Sequence, residues 1–325
     1  MTSRQSGGDA FDALCMGEVL IDFMPIRPGA PAGGIGAFTP AAGGAPANVA
    51  AGLARLGVRS AFLGRTGADG FGRFLAGALA GCGVDVGRLR LVPGARTPVA
   101  FVSLDNAGER EFLFYGEPMT GFGPGDLDLP AVEGSRLLHV GSIGLIDPSA
   151  REATLLAVEA ARRHGRIVSF DANLRPALWP DLETARRMIR RAAGLATVVK
   201  LSDEELVFVT GSAVPDDGGR SLWHDDLRLL VVTHGRNGCT FLTRDACEHV
   251  PGVAVPTVDT TGAGDAFMAA LLAGMLETPD FSCTAERVRP VCRFANAAGA
   301  LSTTAAGAIP ALPDRDAVLR LLGDG

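Results

Sequence analysis

The chain is short of paired cysteines, of surplus positive charge and of long apolar runs. Its six cysteines include no Cys-x-x-Cys pair, and its five histidines show no zinc-ligand spacing beside them, so we expect reduced thiols and no zinc site. A net charge of -6 leaves no broad basic surface, which argues against nucleic acid as the main partner. Residues 1–9 lack the apolar core of a signal peptide, and the uncharged run 29–54 is too rich in glycine and proline for a membrane helix. We therefore expect a globular, cytoplasmic protein that acts on a small molecule, without a membrane.

Lysine is also nearly absent, because Lys200 is the only one in 325 residues. It lies in Thr197–Ser202, an apolar stretch that predicts a buried strand ending where ligands bind in open α/β sheets. The alternative is an isolated lysine that faces solvent without a function. The residues before Lys200 do not supply Gly-x-x-x-x-Gly-Lys-Ser/Thr, so a P-loop NTPase is excluded. A dinucleotide fingerprint is absent too, because Phe267 stands where a motif beginning at Gly262 needs its third glycine.

From about residue 131 onwards, strand-like apolar runs alternate with helix-like runs. This βαβ rhythm predicts an α/β fold of three layers, with helices on both faces of a mainly parallel sheet. The stretch Gly211–Arg220, broken by Pro215, is interpreted as a surface loop. The predicted strands are Arg136–Val140, Arg166–Asp171, Thr197–Leu201, Leu227–Thr233 and Cys239–Thr243, and the predicted helices are Ser149–His164, Leu182–Ala193, Gly262–Leu276 and Ala285–Thr303.

The N-terminal part has a different pattern. Ala13–Phe23 and Thr97–Tyr115 are rich in β-formers, the second with a hairpin turn at Asp105–Gly108, and helices are predicted at Ala45–Leu56 and Gly70–Ala80. Two β-rich runs that are separated in sequence can pair into a small sheet that covers a binding site. We expect residues 20–42 and 95–118 to form this lid and the remainder of residues 1–325 to form one α/β unit. A lid suits phosphoryl transfer, because it excludes the water that would hydrolyse the donor.

The most informative motif is Val258–Phe267, which sets glycines and a carboxylate at the start of an apolar helix. The first N–H groups of a helix have no intrahelical partner and attract anions, and Gly262 and Gly264 let a ligand approach the main chain. Asp265 would then lie beside a bound phosphate, where a carboxylate can act as a base. The alternative is that Asp265 only complements the positive end of the helix.

Three weaker patterns concern ligand binding. Gly43 and Gly44 precede a helix that carries Asn48, so backbone and amide can contact sugar hydroxyls, although glycines before a helix are often only a turn. Asp22 ends an apolar strand and either accepts hydroxyl hydrogen bonds or is an exposed turn aspartate. Residues 233–238 follow a strand and either place a nucleotide against the main chain or form an ordinary β-turn.

Together these segments resemble the PfkB, or ribokinase-like, carbohydrate kinases over nearly the whole chain. Residues 43–57 are similar to the first family signature and Asp259–Asp265 to the second, with Phe170–Pro176, Lys200–Glu205 and Gly307–Pro313 as supporting segments. The resemblance implies a ribokinase-like three-layer α/β/α sandwich with a small β-sheet lid. It also implies ATP-dependent phosphorylation of a sugar hydroxyl, with Mg²⁺ as cofactor and K⁺ as an open question.

The resemblance further implies roles for individual residues. Asp265 would be the general base, and Gly262, Ala263, Gly264 and Asp265 would offer backbone N–H groups to the transferred phosphoryl group. Glu205 would organise Mg²⁺ through water, and Arg175 would also lie toward the phosphates. The full set implied is Asp22, Gly43, Gly44, Asn48, Tyr115 and Arg175 on the sugar, Lys200, Glu205, Thr233, Gly235, Gly238 and Asn296 on ATP, and Asp259, Thr261, Ser302 and Gly307 on a monovalent cation.

Within the family, Cys15–Asp22 and Phe170–Trp179 are most similar to bacterial fructokinases, which predicts fructose 6-phosphate as the product. Fructokinases and 2-keto-3-deoxygluconate kinases usually carry arginine after a segment like Glu109–Tyr115, and this chain has Gly116. Arginine is the usual partner of a carboxylate, so its absence favours a neutral sugar over the sugar acid and puts fructose itself in question. A 2-keto-3-deoxygluconate kinase, a nucleoside kinase and a sugar-binding regulator without turnover are the alternatives. Because relatives often dimerise through their lids, we expect a homodimer.

Overall fold

The computed structural model describes residues 11–25, 37–104, 110–116, 119, 121–278 and 280–323. Thirteen strands lie within these ranges. They are β1 (Phe11–Met16), β2 (Leu20–Pro25), β3 (Phe38–Gly43), β4 (Ser60–Gly67), β5 (Asp85–Val92), β6 (Val99–Leu104), β7 (Arg110–Tyr115), β8 (Ser135–Gly141), β9 (Ile167–Asp171), β10 (Val198–Ser202), β11 (Leu229–Thr233), β12 (Gly238–Leu242) and β13 (Cys247–Pro251).

The α-helices of the same ranges alternate with the strands from β8 to β11, as the sequence predicts. None of them is both long and apolar enough to cross a bilayer. They are α1 (Ala45–Arg55), α2 (Gly70–Gly81), α3 (Leu129–Gly134), α4 (Pro148–Arg163), α5 (Leu182–Ala193), α6 (Asp203–Thr210), α7 (Pro215–Ser221), α8 (Ala263–Leu276), α9 (Ala285–Ser302), α10 (Ala308–Ala311) and α11 (Arg315–Leu322).

Nine of the described strands form the main sheet, in the order β13-β12-β11-β10-β9-β8-β1-β4-β5. All neighbours in it are parallel except β11 with β12 and β12 with β13. Alternate residues of β11 face opposite sides: Leu229 and Val231 belong to the core cluster that includes α1, α8 and α9, whereas Leu230 and Val232 belong to the cluster that includes α4, α5 and α6. This period of two divides the core between two helical layers. The predicted three-layer α/β/α sandwich is confirmed.

The small sheet has the order β3-β2-β6-β7. Strands β2 and β3 are antiparallel, as are β6 and β7, and a parallel pairing of β2 with β6 joins the two pairs. The two β-rich runs of the N-terminal part therefore pair with each other, as predicted. The first run divides, because β1 belongs to the main sheet and β2 to the small one. The predicted turn at Asp105–Gly108 lies outside the described residues.

The prediction of a loop at Gly211–Arg220 is wrong, because α7 occupies Pro215–Ser221. Pro215 stands in the first turn, where its missing N–H breaks no helical hydrogen bond. Gly219 allows the helix to lie tightly on the sheet, since a Cβ there would be 2.6 Å from a methyl carbon of Leu242. The glycines that predict a loop from the sequence therefore allow close packing of a helix in the structure.

Candidate active site

A cavity of about 580 Å³ lies at the carboxyl ends of the main-sheet strands and is partly walled by the small sheet. Open α/β sheets bind ligands at this edge. The residues that line it are Glu18, Leu20, Asp22, Gly44, Ala45, Asn48, Phe114, Ile143, Asn173, Leu174, Arg175, Pro176, Lys200, Ser202, Glu204, Glu205, Phe208, Thr233, Thr260, Thr261, Gly262, Gly264 and Asp265.

The start of α8 forms one end of the cavity. Gly262 precedes the helix with φ 76°, and a Cβ on it would lie 2.7 Å from that of Ala308, so glycine is required there on both counts. The Ala263 N–H donates to the Thr260 carbonyl, and the helical series begins when Ala266 N–H donates to the Gly262 carbonyl. The N–H groups of residues 264 and 265 are therefore first-turn donors at a positive helix end beside the cavity.

The carboxylate of Asp265 is buried and held by two amides. Asn48 Nδ2 donates to its Oδ2 at 2.7 Å, and Asn173 Nδ2 donates to its Oδ1 at 3.2 Å. Burial raises the pKa of Asp265 to about 6, the negative charge of Asp171 adds to the rise, and the Asn48 hydrogen bond with Lys200 and Arg175 opposes it. A carboxylate with this pKa is ionised at neutral pH and basic enough to accept a proton from a hydroxyl.

Lys200 lies at the same helix end. Its ammonium is buried and is 2.9 and 3.1 Å from the two oxygens of Asp171, at the end of the adjacent β9. Burial disfavours the charged ammonium, but Asp171, Glu205 and Asp265 outweigh burial and raise the pKa of Lys200. A Cβ on Gly264 would lie 3.3 Å from Lys200 Nζ, which places the ammonium against the first turn of α8. The solvent-facing alternative for the only lysine is therefore ruled out.

Glu205 lines the cavity at the start of α6. Its Oε1 accepts from the Leu174 N–H at 2.7 Å and its Oε2 from the Ser202 N–H at 2.8 Å, while Ser202 Oγ accepts from the Glu205 N–H. This reciprocal capping box fixes the helix start, and the bond to Leu174 ties it to the segment after β9. The carboxylate is thus held in place by backbone groups at the cavity wall.

Glycines at the turn before α1 make room for the buried carboxyl group of Asp22 and for the main chain at Glu18. A Cβ on Gly43 would lie 2.0 Å from Asp22 Oδ2, and one on Gly44 would lie 2.5 Å from the Glu18 carbonyl oxygen. Burial raises the pKa of Asp22 to about 7, with Arg175 opposing the rise. The exposed-turn alternative for Asp22 is excluded, because this side chain is buried in the cavity wall.

Phe114, not Tyr115, reaches the cavity from β7. The Tyr115 ring is 56% exposed and meets the ring of Phe101 edge to face at 5.7 Å. Adjacent residues of a strand face opposite sides, so the side chain of Tyr115, predicted to contact the sugar, faces away from the cavity that Phe114 lines. Gly116 follows with φ 76°, a conformation that an arginine side chain would strain.

The residues predicted for the nucleotide divide into two groups. Thr233 lines the cavity, whereas Gly235, Gly238 and Asn296 are not among its wall residues. A Cβ on Gly238 would lie 2.2 Å from the Val250 carbonyl oxygen, so this glycine allows β12 and β13 to approach. Asn296 Nδ2 donates to the carbonyls of residues 250 and 251, at 3.1 and 3.0 Å. These contacts hold the strand edge together.

Below the start of α8, Asp259 joins three segments. Its Oδ1 accepts from the N–H and the hydroxyl of Thr261, and its Oδ2 accepts from the Gly307 N–H at 2.8 Å. Ser302 is buried. The carbonyl of the next residue, Thr303, accepts a hydrogen bond from the Asp259 N–H. The described residues contain no cluster of three or more His, Cys, Asp or Glu suited to a metal. The loop offers oxygen ligands only, which suits a hard cation.

The sequence predictions gave no role to several cavity residues, and two of these, Glu18 and Asn173, make informative contacts. Glu18 is buried, its Oε1 accepts from the Ala45 N–H at 3.0 Å, and its Oε2 has no hydrogen-bond partner among the described residues. Burial raises the pKa of Glu18 to about 7. Asn173 donates to the proposed base. Each stands two residues beyond a strand end, and that position is the signal in sequence that could have found them.

Comparison with known proteins agrees with this geometry. The model of the pfkB family carbohydrate kinases matches residues 10–315. The chain is 45% identical over 316 residues to "Probable fructokinase-2" of Arabidopsis thaliana, covering 96% of each chain. The solved fructokinase of Xylella fastidiosa with bound ATP is 35% identical with TM-score 0.88, covering 96% of this chain and 98% of that one. A double mutant of the Vibrio cholerae fructokinase, with fructose, ADP and potassium bound, is 36% identical with TM-score 0.84, covering 95% and 97%.

The family match spans nearly the whole chain, and the cavity wall includes residues of the two segments that resemble the family signatures, 43–57 and 259–265. The protein is therefore a carbohydrate kinase that belongs to the pfkB family.

Proposed function

We propose that this kinase transfers the γ-phosphoryl group of ATP to fructose and forms fructose 6-phosphate. The observation that carries the proposal is the position of Asp265, a buried and ionisable carboxylate at the α8 start inside the cavity. The fructokinase names of its relatives support the choice of sugar. Glu18, Asp22 and Asp265 present three carboxyl groups around the cavity, which suits the hydroxyls of a neutral sugar better than a sugar acid.

In the proposed reaction, Asp22 and the backbone at Gly43 and Gly44 hold the sugar hydroxyls. Asp265 takes the proton of the attacking hydroxyl late in the transfer, when phosphoryl bonding to that oxygen is advanced. The first-turn N–H groups of α8, with the charges of Lys200 and Arg175, stabilise the negative charge on the transferred group. Such transfer depends mainly on alignment and charge neutralisation, and the cavity supplies both.

We propose that ATP enters as its Mg²⁺ complex on the Glu205 side of the cavity. The bound metal would neutralise phosphate charge, and the protein's own residues would position the sugar. Glu205 fits this role, because its carboxylate is fixed at the cavity wall and oxygen is the preferred ligand of Mg²⁺. Gly235, Gly238 and Asn296 would hold the nucleotide from the β12–β13 edge. The Asp259 loop, with Thr261, Ser302 and Gly307, is our proposed K⁺ site.

The small sheet serves as the lid in this proposal, and its outer face as a homodimer contact. Leu113 and Tyr115 on that face are 54% and 56% exposed, and Phe38 and Phe101 pack beside them. An aromatic and aliphatic face of this kind favours association. Sedimentation should show twice the chain mass of 33.5 kDa, and Tyr115→Glu should give monomers. The six free cysteines fit a reducing compartment such as the cytoplasm.

The experiment that tests the function is ADP formation with MgATP across fructose, 2-keto-3-deoxygluconate, ribose, tagatose and adenosine. We expect turnover with fructose, a loss of about 10²-fold or more in Asp265→Asn, and unchanged ATP affinity in that variant. Turnover confined to the sugar acid or the nucleoside would replace fructose with that substrate. ATP and sugar binding without turnover would identify a regulator instead.

A further inference from the structure

Asn173 has an unusual backbone conformation next to the proposed base. It follows β9 by two residues and has φ 35°, in the left-handed region that only glycine adopts at little cost. Asparagine tolerates this region better than most residues. A strained residue in a cavity wall is an observation from which a functional role can be argued.

Local hydrogen bonds keep Asn173 in this conformation. Its backbone N–H donates to Asp171 Oδ1 at 3.2 Å, and the Ser142 hydroxyl donates to its carbonyl oxygen at 3.5 Å. The bond from residue 173 to the side chain of residue 171 is an Asx turn. The same Asp171 oxygen is 3.1 Å from Lys200 Nζ. The backbone of Asn173 is thereby fixed to the ion pair on the nucleotide side of the cavity.

The side chain of Asn173 points the other way, to the sugar side. Its Nδ2 donates to Asp265 Oδ1, while Asn48 Nδ2 from α1 donates to Oδ2. Each oxygen of the carboxylate therefore accepts one amide hydrogen bond and keeps lone-pair capacity for a hydroxyl proton. Two donors from separate elements fix the plane of the carboxylate. The Asn48 bond lowers the pKa of Asp265 against burial and the charge of Asp171, and a second amide donor favours the ionised form for the same physical reason.

We propose that Asn173 is a positioning residue, which orients Asp265 and couples that orientation to the Asp171–Lys200 ion pair. This inference rests on the proposed role of Asp265 as the base. The left-handed backbone of Asn173 lets one residue contact both carboxylates, Asp171 through its N–H and Asp265 through its amide. An extended or helical residue 173 would direct its amide elsewhere.

The test compares Asn173→Ala with Asn173→Gly. Both remove the amide, but glycine adopts φ 35° without strain, so the pair separates the side chain from the backbone. We expect both variants to lower kcat about tenfold and to move the acid limb of the kcat profile upward by about one pH unit. KM for MgATP should change less than twofold. Asn173→Asp should move the limb further, because it adds a third negative charge.

A kcat and pH profile of Asn173→Gly equal to those of the unmodified protein would overturn the inference, and would leave only a backbone role. Titration of ¹³Cγ-labelled aspartate by NMR reads the Asp265 pKa without turnover. The inference requires that pKa to rise in Asn173→Gly, and an unchanged value sinks it whatever sugar the enzyme uses. The proposed function fails separately, if Asp265→Asn retains full activity.

Discussion

Gly52 of α1 and Ala269 of α8 lie so close that a Cβ on Gly52 would be 2.6 Å from the Ala269 Cβ. One helical turn from this contact in each helix, Asn48 donates to Asp265. Residues four positions apart share a helix face, so this close contact and the hydrogen bond to the base lie on the same facing sides of the two helices. The packing of Gly52 against Ala269 therefore sets the distance between Asn48 and Asp265 in the active site.

Gly52→Ala is expected to separate the two helices and to weaken the site with the fold. Overpacking of a tight contact costs about 1–3 kcal/mol of unfolding free energy, and the Asn48 bond should lengthen with it. We expect a lower urea midpoint together with a lower kcat. Gly77→Ala on exposed α2 is the matched control, since a Cβ there meets nothing within 4 Å. Helix propensity should make this control neutral or stabilising by about 1 kcal/mol.

The activity of the enzyme should fall on acidification with the titration of Asp265. Its raised pKa of about 6 means that the carboxylate is progressively protonated as pH falls through 6, and a protonated base accepts no proton. Well below that pH, kcat/KM for the sugar should drop about tenfold per pH unit. Asp22 also has a raised pKa, of about 7, so Asp22→Asn is measured in parallel. If the fall of kcat/KM at low pH disappears in Asp22→Asn, the titrating group is Asp22 in its sugar-binding role and not the base.

Glu18 should make the stability of the protein depend on pH. Its pKa is raised by burial from 4.5 to about 7, so the folded state binds its proton more tightly than the unfolded state does. The resulting stabilisation is complete below the unfolded pKa and is lost as pH rises through 7. Glu18→Gln does not titrate, so relative to the unmodified protein it should gain on the order of 2–3 kcal/mol between pH 4 and pH 8.

Urea unfolding at the two pH values measures this gain. Glu159→Gln, on the exposed side of α4, is the control for the same chemical change at the surface. An equal pH dependence in Glu18→Gln and the unmodified protein would show that Glu18 keeps an ordinary affinity for its proton when buried.

The sequence predicted those parts of the site that lie within one motif, and missed those that depend on contacts between distant segments. Asp265 and its glycines are neighbours in the chain, and so are Gly43 and Gly44, so their spacing carries the information. The hydrogen bond from Asn173 joins residues 92 positions apart. Nothing in the local pattern after β9 specifies a left-handed residue aimed at α8.

The orientation of Tyr115 could not be read from the sequence for a different physical reason. Phe114 and Tyr115 are both aromatic, so strand alternation fixes that they face opposite sides without saying which side is the cavity. Only the docking of the small sheet on the main one decides this. The error at α7 is similar, because glycines 218 and 219 predict a loop until the packing of the helix against neighbouring leucines is known.

Lys200 combines a structural and a functional role, and a double variant separates them. Lys200→Met alone should cost about 3–5 kcal/mol of unfolding free energy, because it leaves Asp171 buried without a counter-ion. Adding Asp171→Asn removes that charge and keeps an oxygen for the Asn173 N–H, so most of the stability should return. The ammonium beside the α8 start remains absent, so KM for MgATP should stay at least about tenfold raised in the double variant. Recovery of both stability and MgATP affinity would show that Lys200 only balances the charge of Asp171, and that the phosphates are bound by the helix start and Arg175 without it.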